Sequence, residues 1–69
     1  MISFKPLLKT LIDKNLSKTE FVEMMKISSS TSAKMWRNEY IAMKIVDDIC
    51  KKFECALTDV IEYVPDEQK

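Results

Sequence analysis

Not one of the 69 residues is glycine. That absence constrains the fold more than any motif in the chain. Tight hairpins need backbone at positive φ, which glycine supplies without steric penalty. A chain without glycine is poorly equipped for a turn-rich sheet. It suits helices joined by short connections. At this length it forms one domain, near the lower limit at which a hydrophobic core suffices without disulfide or metal staples. The core is available, because 46% of the residues are hydrophobic.

Composition excludes several classes. Cys50 and Cys55 lie in apolar surroundings, and the chain has no histidine. Two thiolates alone make a poor zinc site, so both cysteines read as buried reduced thiols of a cytoplasmic protein. No apolar run approaches the roughly 20 residues of a membrane span, and no signal-peptide pattern opens the chain. Neither a metal, a cofactor nor a small-molecule substrate is expected. Net charge is zero but unevenly spread. Residues 1–37 hold seven basic side chains against three acidic, a balance of +4; residues 38–69 hold four against eight, a balance of −4. The basic half hints at an anionic partner. The plain alternative is a set of scattered, solvated charges.

Five helical segments are expected. In the first, Phe4, Leu7, Leu8, Leu11 and Ile12 recur at helical spacing, Ser3 can cap, Pro6 sits in the first turn and Asn15 ends the segment. The second opens with L-S-K-T-E-F. Ser17 and Glu20 have capping-box spacing, and Leu16 and Phe21 flank them as a hydrophobic staple. Phe21, Val22 and Met25 follow as an inward stripe. The third begins at Ser28 and turns Ser32, Met35 and Trp36 to one side. Ser29, Ser30, Ala33, Lys34 and Arg37 face the other. Asn38 suits a left-handed C-terminal position. The fourth runs from about Met43 to Phe53 with Val46, Ile49, Cys50 and Phe53 inward. The fifth lies near Leu57–Tyr63. Residues 1–64 then form the domain and 65–69 a polar tail.

Two short helices joined by a tight turn, the second polar on one face and basic at its end, describe a helix-turn-helix. The chain resembles the lambda-repressor-like, XRE-type helix-turn-helix family of phage and bacterial regulators. Within that family it looks like the small single-domain regulators of Gram-positive bacteria and their mobile elements. The resemblance is carried by M-I-S-F-K-P-L, L-S-K-T-E-F, I-S-S-S-T-S-A-K, R-N-E, I-C-K-K-F-E-C and D-V-I-E-Y-V-P, in that order. It implies an all-α, compact five-helix DNA-binding domain. Helix three would enter the major groove with Ser29 and Ser30, then Ala33 and Lys34 one turn on. Lys18 would anchor a phosphate, with Arg37 near the backbone path. Ser28 and Thr31 complete the candidate surface. Serine hydroxyls can meet base edges or phosphates, and the helix N-terminus presents free N–H groups. Lysine and arginine supply the salt-sensitive attraction.

Three positions depart from the family pattern. Val22 stands where alanine is common, Lys26 where glycine is common in the turn, and Ser32 where an aliphatic anchor is common. Lysine in a left-handed conformation costs on the order of 1 kcal/mol. A buried Ser32 must find a partner, for which the Ser28 carbonyl is the candidate. Trp36 is expected to pack on helix one or four. Lys5, Lys9 and Lys14 read as a solvated helix face.

No catalytic constellation emerges. Asp47 and Asp48 are adjacent on a helix and point apart. The expectation is a transcriptional regulator, a repressor, that binds double-stranded operator DNA. Val60, Ile61, Tyr63 and Val64 exceed what a short final helix needs and mark a dimer contact. The rival reading is a protein-binding module on the same fold, an anti-repressor or antitoxin-like partner, favoured by the neutral total charge.

Overall fold

The computed structural model describes residues 1–65. A short strand β1 (Ile2–Ser3) leads into α1 (Lys5–Asp13), α2 (Lys18–Met25), α3 (Ser29–Trp36) and α4 (Met43–Phe53). A 3₁₀ turn (Leu57–Asp59) and a second strand, β2 (Glu62–Tyr63), follow. The expected tail lies outside the described residues except for Pro65.

The start of α2 follows its sequence signal in full. Ser17 Oγ accepts the Glu20 N–H at 3.0 Å, and Glu20 Oε1 accepts the Ser17 N–H at 2.9 Å. Together they satisfy two donors that a helix start otherwise leaves open. The first helix starts one residue later than expected. Phe4 is its N-cap and makes no side-chain cap bond, while Ser3 Oγ accepts the Lys5 N–H at 3.1 Å.

All four helices end alike, and the ending answers the lack of glycine. Asn15, Lys26, Asn38 and Glu54 take the left-handed conformation, at φ 58°, 57°, 60° and 52°. In each case the next residue donates its N–H to a carbonyl five residues back. The bonds are Leu16 to Leu11 (2.9 Å), Ile27 to Val22 (3.1 Å), Glu39 to Lys34 (2.8 Å) and Cys55 to Cys50 (3.2 Å). This closing turn satisfies carbonyls at the helix end and reverses the chain within a few residues. Glycine is its usual left-handed residue; here two asparagines, a lysine and a glutamate serve.

The fifth helix is corrected. Only one 3₁₀ turn forms, and the chain then extends to pair β2 antiparallel with β1, with Ile2 opposite Tyr63 and Ser3 opposite Glu62. Val64 N–H continues the ladder by donating to Met1 O at 2.8 Å. Two properties of V-I-E-Y-V-P explain this. Its β-branched and aromatic residues favour an extended chain, and Pro65 pushes Val64 out of the helical region.

The core draws on the start of α1, every helix and the final turn: Phe4, Leu7, Leu11, Phe21, Met35, Val46, Ile49 and Val60 are buried. Ile12 departs from expectation and is 73% exposed. It lies next to Leu11, about 100° further round the helix, and so falls off the stripe set by Phe4, Leu7 and Leu11. Val60 is wholly buried in this core, which removes it from any surface available for pairing. Tyr63 is 70% exposed, and Ile61 and Val64 are half-buried.

Candidate nucleic-acid interface

Helices α2 and α3 and the Lys26–Ser28 turn between them make the helix-turn-helix. Lys26 sits left-handed as the family pattern requires of that position, although it carries a Cβ. Phe21 anchors the unit in the core. Its ring lies 6.1 Å from Trp36 and 5.9 Å from Phe53, tilted in both cases. The ring contact of Trp36 is therefore with α2, where α1 or α4 was expected.

The hydroxyl run divides by role. Ser28 is the N-cap: its Oγ accepts the Thr31 N–H at 3.2 Å and donates to Thr31 Oγ1 at 3.0 Å. It also lies 3.3 Å from Ser30 Oγ. Ser29 is exposed, and its hydroxyl has no hydrogen-bond partner among the described residues. Ser32 faces inward, 8% exposed, and donates to Ser29 O at 3.0 Å. The expected acceptor, Ser28 O, is occupied by the Ser32 backbone N–H at 3.0 Å. The hydroxyl bonds the carbonyl three residues back instead of the one four back, and no buried polar side-chain atom is left unpaired among the described residues.

Two of the departures meet in space. Val22 and Ser32 line one groove of about 310 Å³ between α2 and α3, with Lys18, Thr19, Glu23 and Trp36. A larger residue than usual on α2 and a smaller one on α3 thus border the same groove.

The candidate contact residues gather around α3. Ser29, Ser30 and Lys34 are exposed; Thr31 and Ala33 are half-buried. Lys18, the first residue of α2, lies with Nζ 5.0 Å from the centre of the Trp36 ring, so α2 and α3 share it. Arg37 is exposed and paired: its Nε donates to Glu39 Oε2 at 2.9 Å. The hydrogen bond to Glu39, then its charge, raises the Arg37 pKa. The same bond holds the Glu39 carboxyl below its usual range. Sequence reasoning missed Glu39 as a partner, although the R-N-E spacing was visible.

A second missed residue is Asn38 as a tether. Its left-handed backbone was expected, and its side chain does more. Asn38 Oδ1 accepts the Phe4 N–H at 2.8 Å, across 34 residues. That bond fixes the exit of α3 against the start of α1.

The two cysteines are free and half-buried. Burial pushes the Cys55 thiol up, so it stays protonated near neutral pH and is a poor nucleophile. Among the described residues, no helix is long and apolar enough to cross a membrane.

This arrangement defines a helix-turn-helix domain of the DNA-binding class. The model of the Cro/C1-type helix-turn-helix DNA-binding domain matches residues 6–66, and the chain belongs to that XRE-type family. Among solved structures it is similar to the transcriptional regulator VanUg, crystal form II, at 35% identity and a TM-score of 0.90. That match covers 94% of this chain and 87% of the other. No curated protein shows significant similarity to the chain.

Proposed function

We propose that the protein is a sequence-specific transcriptional regulator, a cytoplasmic repressor that acts by occupying an operator. Helix α3 enters the major groove with Ser29 and Ser30 first and Ala33 and Lys34 one turn on. Lys18, Ser28, Thr31 and Arg37 meet the flanking phosphate path. The observation that carries this reading is the leading end of α3: an exposed serine with an unpartnered hydroxyl at the first turn, beside open backbone N–H groups. VanUg, similar along almost the whole chain, is a transcriptional regulator, which supports the same role here. The mechanism needs no cofactor.

A homodimer on a pseudo-palindrome, with half-sites about 34 Å apart, fits the proposal. Its contact surface is what remains of the expected set once Val60 is buried: exposed Tyr63 with half-buried Ile61 and Val64. Light scattering on the eluted protein tests this, and a strict monomer at high concentration removes it.

The rival is a protein-binding module on this fold. Pairing of Arg37 with Glu39 favours it, because it removes one free cation from the candidate surface. Binding to DNA upstream of the protein's own gene, at two salt concentrations, separates the two. The regulator predicts specific binding that weakens with salt. Lys34→Ala and Ser30→Ala should each weaken specific binding, by roughly 1 kcal/mol. Binding no better than to random DNA at low salt would favour the rival.

A further inference from the structure

The turn that closes α3 differs from the other three in its side chains. Each closing turn joins the residue after the left-handed position to a residue five earlier. In α1 that pair is Leu11 and Leu16, in α2 Val22 and Ile27, and in α4 Cys50 and Cys55. Apolar pairs are usual there. In α3 the pair is Lys34 and Glu39.

The backbone bond to Lys34 fixes Glu39 in place, and its carboxylate holds Arg37 Nε at 2.9 Å. Arg37 and then Lys34 both stabilise its charge. One carboxylate is thus held on Arg37 at the end of the proposed recognition helix, on a residue whose backbone N–H is bonded to Lys34 O. The contact uses Nε and leaves the terminal N–H₂ groups of the guanidinium uncommitted among the described residues. A phosphate seated on those groups would stand close to the Glu39 carboxylate, and the two anions would repel.

We propose that Glu39 is an internal counter-anion that holds down the attraction of Arg37 for DNA phosphate. This rests on the reading that α3 docks on DNA. Folding gives little reason for the pair, since both side chains are largely exposed and such pairs contribute little to stability.

Glu39→Gln isolates the charge. It keeps the backbone N–H and an oxygen for Arg37 Nε. Wild type and variant are titrated against the upstream DNA and against random duplex at low and high salt, with melting temperatures as the check on folding. The variant should bind both DNAs about two- to fivefold more tightly at low salt. Its dependence of log affinity on log salt should steepen by up to about 0.9. The gain should shrink when Arg37→Ala is made first. Unchanged or weaker binding by Glu39→Gln, to DNA that the wild type binds, overturns the proposal. So does an undiminished gain in the Arg37→Ala background. If neither protein binds either DNA at low salt, the DNA reading itself fails and the counter-anion role falls with it.

Discussion

The turns that end α3 and α4 share a backbone and differ in what that backbone does. Both place a non-glycine residue left-handed, Asn38 at φ 60° and Glu54 at φ 52°, and both close with the same long hydrogen bond. At α3 the left-handed residue also reaches out of the turn to bind Phe4 N–H at 2.8 Å. At α4 the Glu54 side chain is exposed and makes no hydrogen bond or ion pair among the described residues. The first is therefore a tertiary tether that happens to sit in a turn. The second carries a conformational cost with no visible return. Similar φ values thus describe a requirement at one site and a tolerance at the other.

The sharpest way to break this comparison is at Asn38. Asn38→Ala removes the acceptor for a partly buried N–H and places a poorly suited residue at positive φ. Unfolding free energy should fall by about 2–3 kcal/mol. Asn38→Gly relieves the backbone and keeps only the lost hydrogen bond, so about 1–2 kcal/mol should remain. Urea titrations of the two variants read the difference directly. If Asn38→Gly proves neutral, the tether contributes nothing and the two turns are equivalent.

Much of this was legible in sequence where its cause is local. The Ser17–Glu20 capping box has both halves within four residues, and both formed. The left-handed position of Asn38 was visible for the same reason; that of Lys26 came only from the family pattern, where glycine is common. Helix-turn-helix spacing placed Ser29, Ser30 and Lys34 on the exposed side of α3, and they lie there. What stayed hidden depends on distant or competing partners. Nothing near Asn38 announces Phe4. Nothing in the serine run says that the Ser32 hydroxyl takes Ser29 O, three residues back, and not Ser28 O, four back. The fifth helix was misread because Val60, Ile61, Tyr63 and Val64 fit a short helix nearly as well as a strand. Pairing with Ile2–Ser3, at the other end of the chain, decides between them.

Glu54→Gly tests the other side of the comparison. Relief of a left-handed glutamate is worth about 1 kcal/mol, less a few tenths for the greater freedom of glycine in the unfolded chain. A gain of about 0.5–1 kcal/mol in unfolding free energy is expected. Lys26→Gly should behave alike, since the exposed Lys26 side chain also has no partner among the described residues. Loss of stability at Glu54→Gly would mean that its side chain supports the turn in solution, and the contrast with Asn38 would narrow.

Asn15 should give the smallest effect and is the cleanest control. It ends α1 at φ 58°, with the same closing bond from Leu16 to Leu11 at 2.9 Å. It is asparagine, like Asn38, but it is exposed and its side chain has no hydrogen-bond partner among the described residues. Asparagine tolerates the left-handed region far better than lysine or glutamate, so little strain remains for glycine to relieve. The small relief and the added unfolded-state entropy oppose each other. Asn15→Gly should therefore stay within about 0.5 kcal/mol of wild type. A neutral Asn15→Gly beside a costly Asn38→Gly assigns the difference to the Asn38 side chain, because residue type, backbone region and closing bond are the same in both turns.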